Sequence, residues 1–404
     1  AFEVIRVEEI SEDEAIRFLI YDMLMSEKNN RTMISLGAIK TAVSLSRKYF
    51  REKPLPSSAS DLLHEAWAWA LENKVKRLTS EMIVKIAEQK TNIPVRKAGK
   101  EEAEQLLNIE NLIHQRLVDQ NEAVSAVGRS LREYRSGLSR KGGPIAAFLF
   151  VGPTGVGKTE LAKILAEIQF GSEDAMVRVD MSEYQDESSY GRLIGASGGN
   201  IGGMLTDPVR QKPYSLVLLD EFEKAHPDVL NLFLQIFDDG RLTDAMGRVV
   251  DFENTIIIAT SNAHSTFIKS SIDEGKTMAM IGDELKRKLV DYFKPELLNR
   301  FSEIVVFKSL SEKDVESIAG LQLNSLAKSL DKTQGISMRF EEAATKEIAR
   351  LGYDPAFGAR PLRETISKHI KSPIAEKILR DEIRRGSEVI IGFTDDGFKF
   401  DIIK

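Results

Sequence analysis

The sequence predicts an α/β fold: a five-stranded parallel sheet, preceded by an all-helical subdomain and followed by a helical one that ends in strands. Three observations carry this. Five short apolar runs, Ala146–Val151, Met176–Val179, Leu216–Leu219, Thr255–Ala259 and Ile304–Phe307, have strand length and are separated by helical or loop stretches, the pattern of strands buried on both faces. Residues 11 to 92 are helical by periodicity. From Ser311 the helical pattern returns, followed by the strand-like runs Glu388–Phe393 and Gly397–Ile403.

Along the chain, Phe2–Val7 reads as a strand. Ser11 with Glu14 forms a capping box that opens the first helix, and Ile34 to Tyr49, Ala59 to Asn73 and Glu81 to Gln89 follow as amphipathic helices. Thr91-Asn92-Ile93-Pro94-Val95 breaks the pattern, and the charged, glycine-containing Arg96 to Glu104 reads as a connector. The expected division is therefore 1–96 for the first helical subdomain, 97–309 for the sheet and 310–404 for the last subdomain.

The most informative stretch is Gly152-Pro153-Thr154-Gly155-Val156-Gly157-Lys158-Thr159, a complete G-x-x-x-x-G-K-T phosphate-binding loop. It follows a strand-length run and precedes Leu161, Leu165 and Ile168 at helical spacing, so strand, loop and helix stand in the required order. The glycines let main-chain N–H groups turn inward on phosphates, the helix N-terminus adds a favourable dipole, and the Lys158 ammonium reaches the outer phosphates. Thr159 would hold Mg²⁺ through its hydroxyl, and Glu160 closes the cofactor-binding set. These residues imply a nucleoside triphosphate with Mg²⁺ as cofactors.

The strand Leu216–Leu219 delivers Asp220 and Glu221 at its C-terminal end, a Walker B signature. Asp220 is suited to the Mg²⁺ shell and Glu221 to orienting or deprotonating the attacking water. The next strand ends in Thr260-Ser261-Asn262, which brings an amide beside the phosphates to polarise the same water.

Composition narrows the classes. The 404 residues are 42% hydrophobic, enough for two or three domains with real cores. Lys and Arg number 56 against 62 Asp and Glu, a net charge of −6, and no basic stripe with interleaved aromatics occurs, so nucleic acid is not expected as a partner. Cysteine is absent, which removes thiolate chemistry, and the five histidines at 64, 114, 226, 264 and 369 have no metal-motif spacing. No stretch approaches the roughly twenty apolar residues of a membrane span, and Ala-Phe-Glu-Val-Ile-Arg lacks a signal-peptide layout, so a cytoplasmic protein without a membrane partner is expected.

A longer series of motifs resembles the ring-forming Clp unfoldases of the AAA+ class. It comprises Val118 to Val124, the loop at 152 to 159, Arg178 to Tyr184, Arg192 to Ala196, Leu219-Asp220-Glu221-Phe222-Glu223-Lys224-Ala225-His226-Pro227, Asp239 to Asp244, Pro295 to Arg300 and Gly358 to Arg363, in family order. From about residue 107 onward the chain looks like the second ATPase module of a two-module Clp protein, and residues 9 to 95 resemble the small subdomain that closes the first. The resemblance implies an AAA+ P-loop fold, ATP as the nucleotide, and an ATP-dependent protein unfoldase or chaperone. It implies Arg300 as an arginine finger reaching a neighbour's nucleotide, Arg360 as a second sensor, and Val118 with its neighbours at the base pocket. A finger acting in trans implies an oligomer, expected as a homo-hexamer acting on protein substrates. A Clp-type peptidase is a further candidate partner, although no Ile-Gly-Phe or Ile-Gly-Leu docking loop follows Asn262.

The sequence departs from the family at the pore loop. Family members carry an aromatic, Gly-Tyr-Val-Gly in its usual form, whereas Ser197-Gly198-Gly199-Asn200-Ile201-Gly202-Gly203-Met204 offers only Ile201 and Met204 as apolar grips. The alternative reading is therefore a nucleotide-switched assembly or adaptor protein that does not thread substrate.

Overall fold

The computed structural model describes residues 9–29, 32–50, 53–91, 100–138, 142–196, 202–354 and 357–403. The strand expected at Phe2–Val7, the break at 92–95 and the tip of the glycine-rich loop at 197–201 lie outside the described residues. The chain divides into two compact units, Ala1–Ala103 and Glu104–Lys404.

The first unit packs the helices Glu12–Asn29, Leu36–Tyr49, Ser57–Glu72 and Ser80–Thr91 around Leu19, Met23, Val43, Leu62, Leu63 and Leu78. The capping box forms: the Glu14 N–H donates to Ser11 Oγ at 3.3 Å and the Ser11 N–H to Glu14 Oε2 at 3.0 Å. The second helix starts later than its periodicity suggests. Ser35 caps it, accepting from the Ala38 N–H at 3.1 Å, which frees Met33–Ile34 to pair in parallel with Arg77–Leu78. The described part of the expected connector is not extended: Lys100–Leu107 is a helix, because Lys, Glu, Ala, Gln and Leu are strong helix formers and no breaker interrupts them.

In the second unit five parallel strands lie in the order Met176–Asp180, Leu216–Asp220, Ile256–Ser261, Ala146–Val151, Glu303–Val306. Alternation along each strand feeds two cores. Phe148, Phe150, Leu216, Leu218, Ile256 and Ile258 face one side, and Leu149, Val151, Val217, Leu219, Ile257 and Ala259 face the other. The first core continues through Val315, Leu323, Ile348 and Ile366 of the C-terminal subdomain, so the sheet and that subdomain share apolar packing.

The Ile256 strand runs to Ser261, beyond its apolar stretch, because Thr260 and Ser261 pair with Phe150 and Val151. The last strand is set one residue earlier than its apolar run suggests, at Glu303–Val306, with Glu303 opposite Phe148. Three short strands of this unit carry no sequence signal: Arg241–Thr243 and Val249–Asp251, which pair antiparallel, and Ser337–Phe340, which adds in parallel to the first of the two expected C-terminal strands, Glu388–Thr394, itself paired antiparallel with Gly397–Ile403. The helix Glu312–Gln334 begins at a capping box of Ser311 and Asp314. The helix Pro227–Asp239 begins with Pro227 in its first turn and the His226 ring accepting from the Asp228 N–H at 3.3 Å.

Candidate nucleotide site

Register alone brings the site together. Val151 lies opposite Ser261 and Leu219 opposite Ala259, so Gly152, Asp220 and Asn262 emerge side by side at the C-terminal edge of the sheet, where open α/β sheets bind ligands. The loop from Gly152 turns into the helix Lys158–Phe170 through Gly157 in left-handed backbone. Gly155, at φ +77°, admits no side chain: a Cβ there would lie 2.1 Å from the Phe357 carbonyl oxygen. The 357–360 turn therefore rests on the phosphate loop, and the Ala359 N–H donates to the Gly155 carbonyl at 3.3 Å.

Lys158 is only 8% exposed. Its Nζ donates to the Gly152 carbonyl at 2.5 Å, the Pro153 carbonyl at 2.9 Å and Asn262 Oδ1 at 2.8 Å. Burial pulls its pKa down to about 8, against the opposing pull of the Glu223, Asp220 and Glu221 carboxylates. Thr154 Oγ1 also donates to Asn262 Oδ1, at 3.4 Å.

Asp220 accepts from Thr260 Oγ1 on one oxygen and pairs with Arg178 at 2.7 Å on the other. Glu221 occupies left-handed backbone at φ 54°, ψ 47°, a conformation that costs a non-glycine residue about 1–3 kcal/mol and persists only where the surrounding packing holds it. Its N–H donates to Thr260 Oγ1 at 3.3 Å and its carboxylate pairs with Lys224. The turn is pinned by Phe222, wholly buried between the two glutamates. Its ring stacks on Phe293 at 5.6 Å and meets Phe233 and Phe301 edge-on at 5.2 and 6.1 Å. Beyond it, Glu223 Oε1 accepts the Asn262 N–H at 3.1 Å.

Around this centre stand the remaining expected residues. Val118 is partly buried beside two consecutive left-handed residues, Asp119 and Gln120. The buried Gln120 amide bridges both main-chain groups of Lys308 and also donates to the Val156 carbonyl, tying this segment to the phosphate loop. Glu160 is engaged by Arg116 at 3.1 Å, which also pairs with Glu167 and Glu173. Arg300 lies outside the cluster, its Nε paired with Asp238 at 2.6 Å. Arg360 is exposed, on the turn that covers Gly155. Met204, the described end of the glycine-rich loop, is 60% exposed.

Sequence reasoning assigned no role to Thr260, Glu223, Gln120 or Asp238. Thr260 had a usable signal, since it immediately precedes Ser261-Asn262 at a strand end, whereas Glu223 and Gln120 depend on turns and Asp238 on a pairing distant in sequence.

The donor set suits a hard divalent cation. Thr159 offers a hydroxyl and Asp220 a carboxylate, and among the described residues no cluster of three or more His, Asp or Glu could form an all-protein cage. That is the pattern of Mg²⁺, which is held by one or two protein oxygens together with substrate phosphates.

Three family models match the chain in succession: an AAA lid domain at residues 12–116, an AAA domain of the Cdc48 subfamily at 143–304, and the C-terminal D2-small domain of ClpB protein at 310–391. The chaperone protein ClpB of Aquifex aeolicus is 47% identical over 334 residues, covering 80% of this chain and 33% of that protein. The negative regulator of genetic competence ClpC/MecB of Bacillus subtilis is 37% identical over 469 residues, covering 98% and 58%. The chain thus spans between a third and about three-fifths of the length of these relatives. Among solved structures, a closed-state cryo-EM reconstruction of Hsp104 with ATPγS and FITC casein superposes with a TM-score of 0.80 at 34% identity, covering 99% of this chain and 70% of that one. An S. cerevisiae Hsp104–ADP complex gives 0.79, again at 34% identity. With a phosphate loop, paired strand-end carboxylates and an amide on adjoining strands, and with lid, AAA and D2-small matches in that order, the chain belongs to the Clp family of AAA+ ATPases.

Proposed function

We propose that this chain is the ATP-hydrolysing part of a Clp-type motor that remodels or unfolds protein substrates. The observation that carries the reading is the convergence on one sheet edge of the buried Lys158, the Asp220–Glu221 pair and Asn262, with Lys158 Nζ and Asn262 Oδ1 2.8 Å apart. In this reading Lys158 neutralises the outer phosphates, and Thr159 and Asp220 hold Mg²⁺, which offsets phosphate charge when bound. Glu221 takes the proton of the attacking water and Asn262 orients that water, while the bond between the γ-phosphorus and the bridging oxygen of ADP breaks. The main-chain N–H groups of the glycine loop, with Glu160 and Val118 flanking, complete the nucleotide pocket.

Arg300 would complete the site of a neighbouring subunit, making the active species a ring, and a homo-hexamer is the assembly proposed. Arg360 would report phosphate occupancy from the turn that rests on Gly155. A Clp-type peptidase is proposed only as a downstream partner of that ring.

The test is ATP turnover per subunit over a wide range of protein concentration, with Glu221→Gln alongside. Specific activity is expected to climb with concentration, and the variant to bind ATP but lose turnover by about 10²- to 10⁴-fold. Wild-type chain that binds ATP yet stays inactive at every concentration would sink the motor reading. A second reading, a nucleotide-switched adaptor that does not thread, is favoured by one observation: the glycine-rich segment 197–204 carries no aromatic. Ile201→Tyr separates the two, since unfolding of a tagged substrate that is gained only in the variant identifies the natural loop as a poor grip.

A further inference from the structure

The turn after Asp220 sends two glutamates in opposite directions. Glu221, in left-handed backbone, lies against Lys224, whereas Glu223 turns back to the Ile256–Ser261 strand and accepts the Asn262 N–H at 3.1 Å. The other oxygen of Glu223, Oε2, is buried without a hydrogen-bond partner among the described residues. A half-satisfied carboxylate away from water is costly, and an apolar side chain would fill the space without that cost.

What Glu223 holds is the amide at the centre of the site. Asn262 is fixed from two sides, its main chain by Glu223 and its side-chain Oδ1 by Lys158 at 2.8 Å and Thr154 at 3.4 Å. The Lys158 bond is the one that must be given up if the ammonium turns to phosphate. The bond to Glu223 is then the fixed point, because it involves only the main chain of Asn262 and not the side-chain oxygen that Lys158 releases.

We infer that Glu223 is a positioning residue: its carboxylate anchors the Asn262 main chain so that the amide keeps its place when Lys158 leaves Oδ1 for the nucleotide. The catalytic consequence rests on the ATPase reading above, whereas the anchor is measurable without turnover.

The experiment compares wild-type 404-residue chain with Glu223→Ala, Glu223→Gln, Asn262→Ala and the E223A/N262A double variant, by amide hydrogen exchange and by ATP turnover. Gln keeps an acceptor oxygen in reach of the Asn262 N–H, whereas Ala removes it. Exchange at Asn262 should rise about tenfold in E223A, the weight of one hydrogen bond to a charged group, while the Ile257–Ala259 amides stay protected. Protection should return in E223Q. In turnover, kcat should fall about tenfold in E223A without a rise in KM, recover in E223Q, and drop by less than about twofold further when E223A is added to N262A. Unchanged exchange at Asn262 in E223A, E223Q as impaired as E223A, or costs that multiply in the double variant would each overturn the inference. If exchange behaves as described but wild-type chain turns over no ATP, the anchor stands and the ATPase reading alone falls.

Discussion

The two cations proposed to meet phosphate sit in opposite surroundings. Lys158 is 8% exposed, with three hydrogen-bond partners drawn from its own loop and the neighbouring strand. Arg300 has a side chain 36% exposed and, among the described residues, one ion pair, to Asp238 on the helix Pro227–Asp239. One cation is pre-organised within its own chain, so its ligand needs only to replace existing partners. The other is held by a contact that half-exposed surfaces make weakly and that a competing anion can displace. The first arrangement fits the proposed phosphate contact within the chain, and the second fits the proposed contact across a subunit boundary.

The sharpest way to test that contrast is Arg300→Ala. If Arg300 serves the neighbouring subunit, kcat should fall by about 10³-fold, as for other arginine fingers, with ATP affinity nearly unchanged. Mixing inactive R300A with inactive Glu221→Gln subunits should restore some turnover, since the intact Glu221 site of an R300A subunit can then be completed by Arg300 of a Glu221→Gln neighbour. A parallel loss of ATP affinity in R300A would erase the distinction between the two cations.

A smaller effect is expected from pH at Lys158. Its pKa is depressed to about 8, chiefly by burial, and only the charged form attracts phosphate. ATP affinity measured by calorimetry should therefore weaken as pH rises through about 8, approaching tenfold per pH unit. Nucleotide-free stability should move the other way. The unfolded lysine stays protonated up to its ordinary 10.5 while the folded one has released its proton, so stability attributable to this group rises between those values.

The smallest effect is predicted for Asp238→Asn, which loosens the hold on Arg300. An ion pair this open should cost no more than about 1 kcal/mol in thermal or denaturant unfolding, with turnover equal to or above wild type. A variant that loses activity would mean that Asp238 aims the guanidinium rather than storing it.

Much of this site was legible because its main parts are local. The phosphate loop follows its strand directly, Asp220 and Glu221 end another, and Asn262 follows a third, so strand-length apolar runs and their next residues were enough. What escaped depended on backbone direction or on distance in sequence. Nothing in the residue type at 221 announces φ 54°, yet that angle decides that Glu221 and Glu223 face different ways. Asp238 lies far along the chain from Arg300, and Gln120 from Lys308, so neither pairing leaves a periodic trace. The pairs at Met33–Ile34 and Arg77–Leu78 are two residues long, below the length at which alternation can be recognised.

Phe222 has a mechanical consequence. It separates the two glutamates, stacks on Phe293 and meets the edge of Phe301, the residue that follows Arg300. The turn that carries Glu221 and the turn that carries Arg300 are thereby packed together through uncharged rings. Salt that loosens the Arg300–Asp238 pair leaves these apolar ring contacts intact, so the packing of the two turns should not vary with ionic strength.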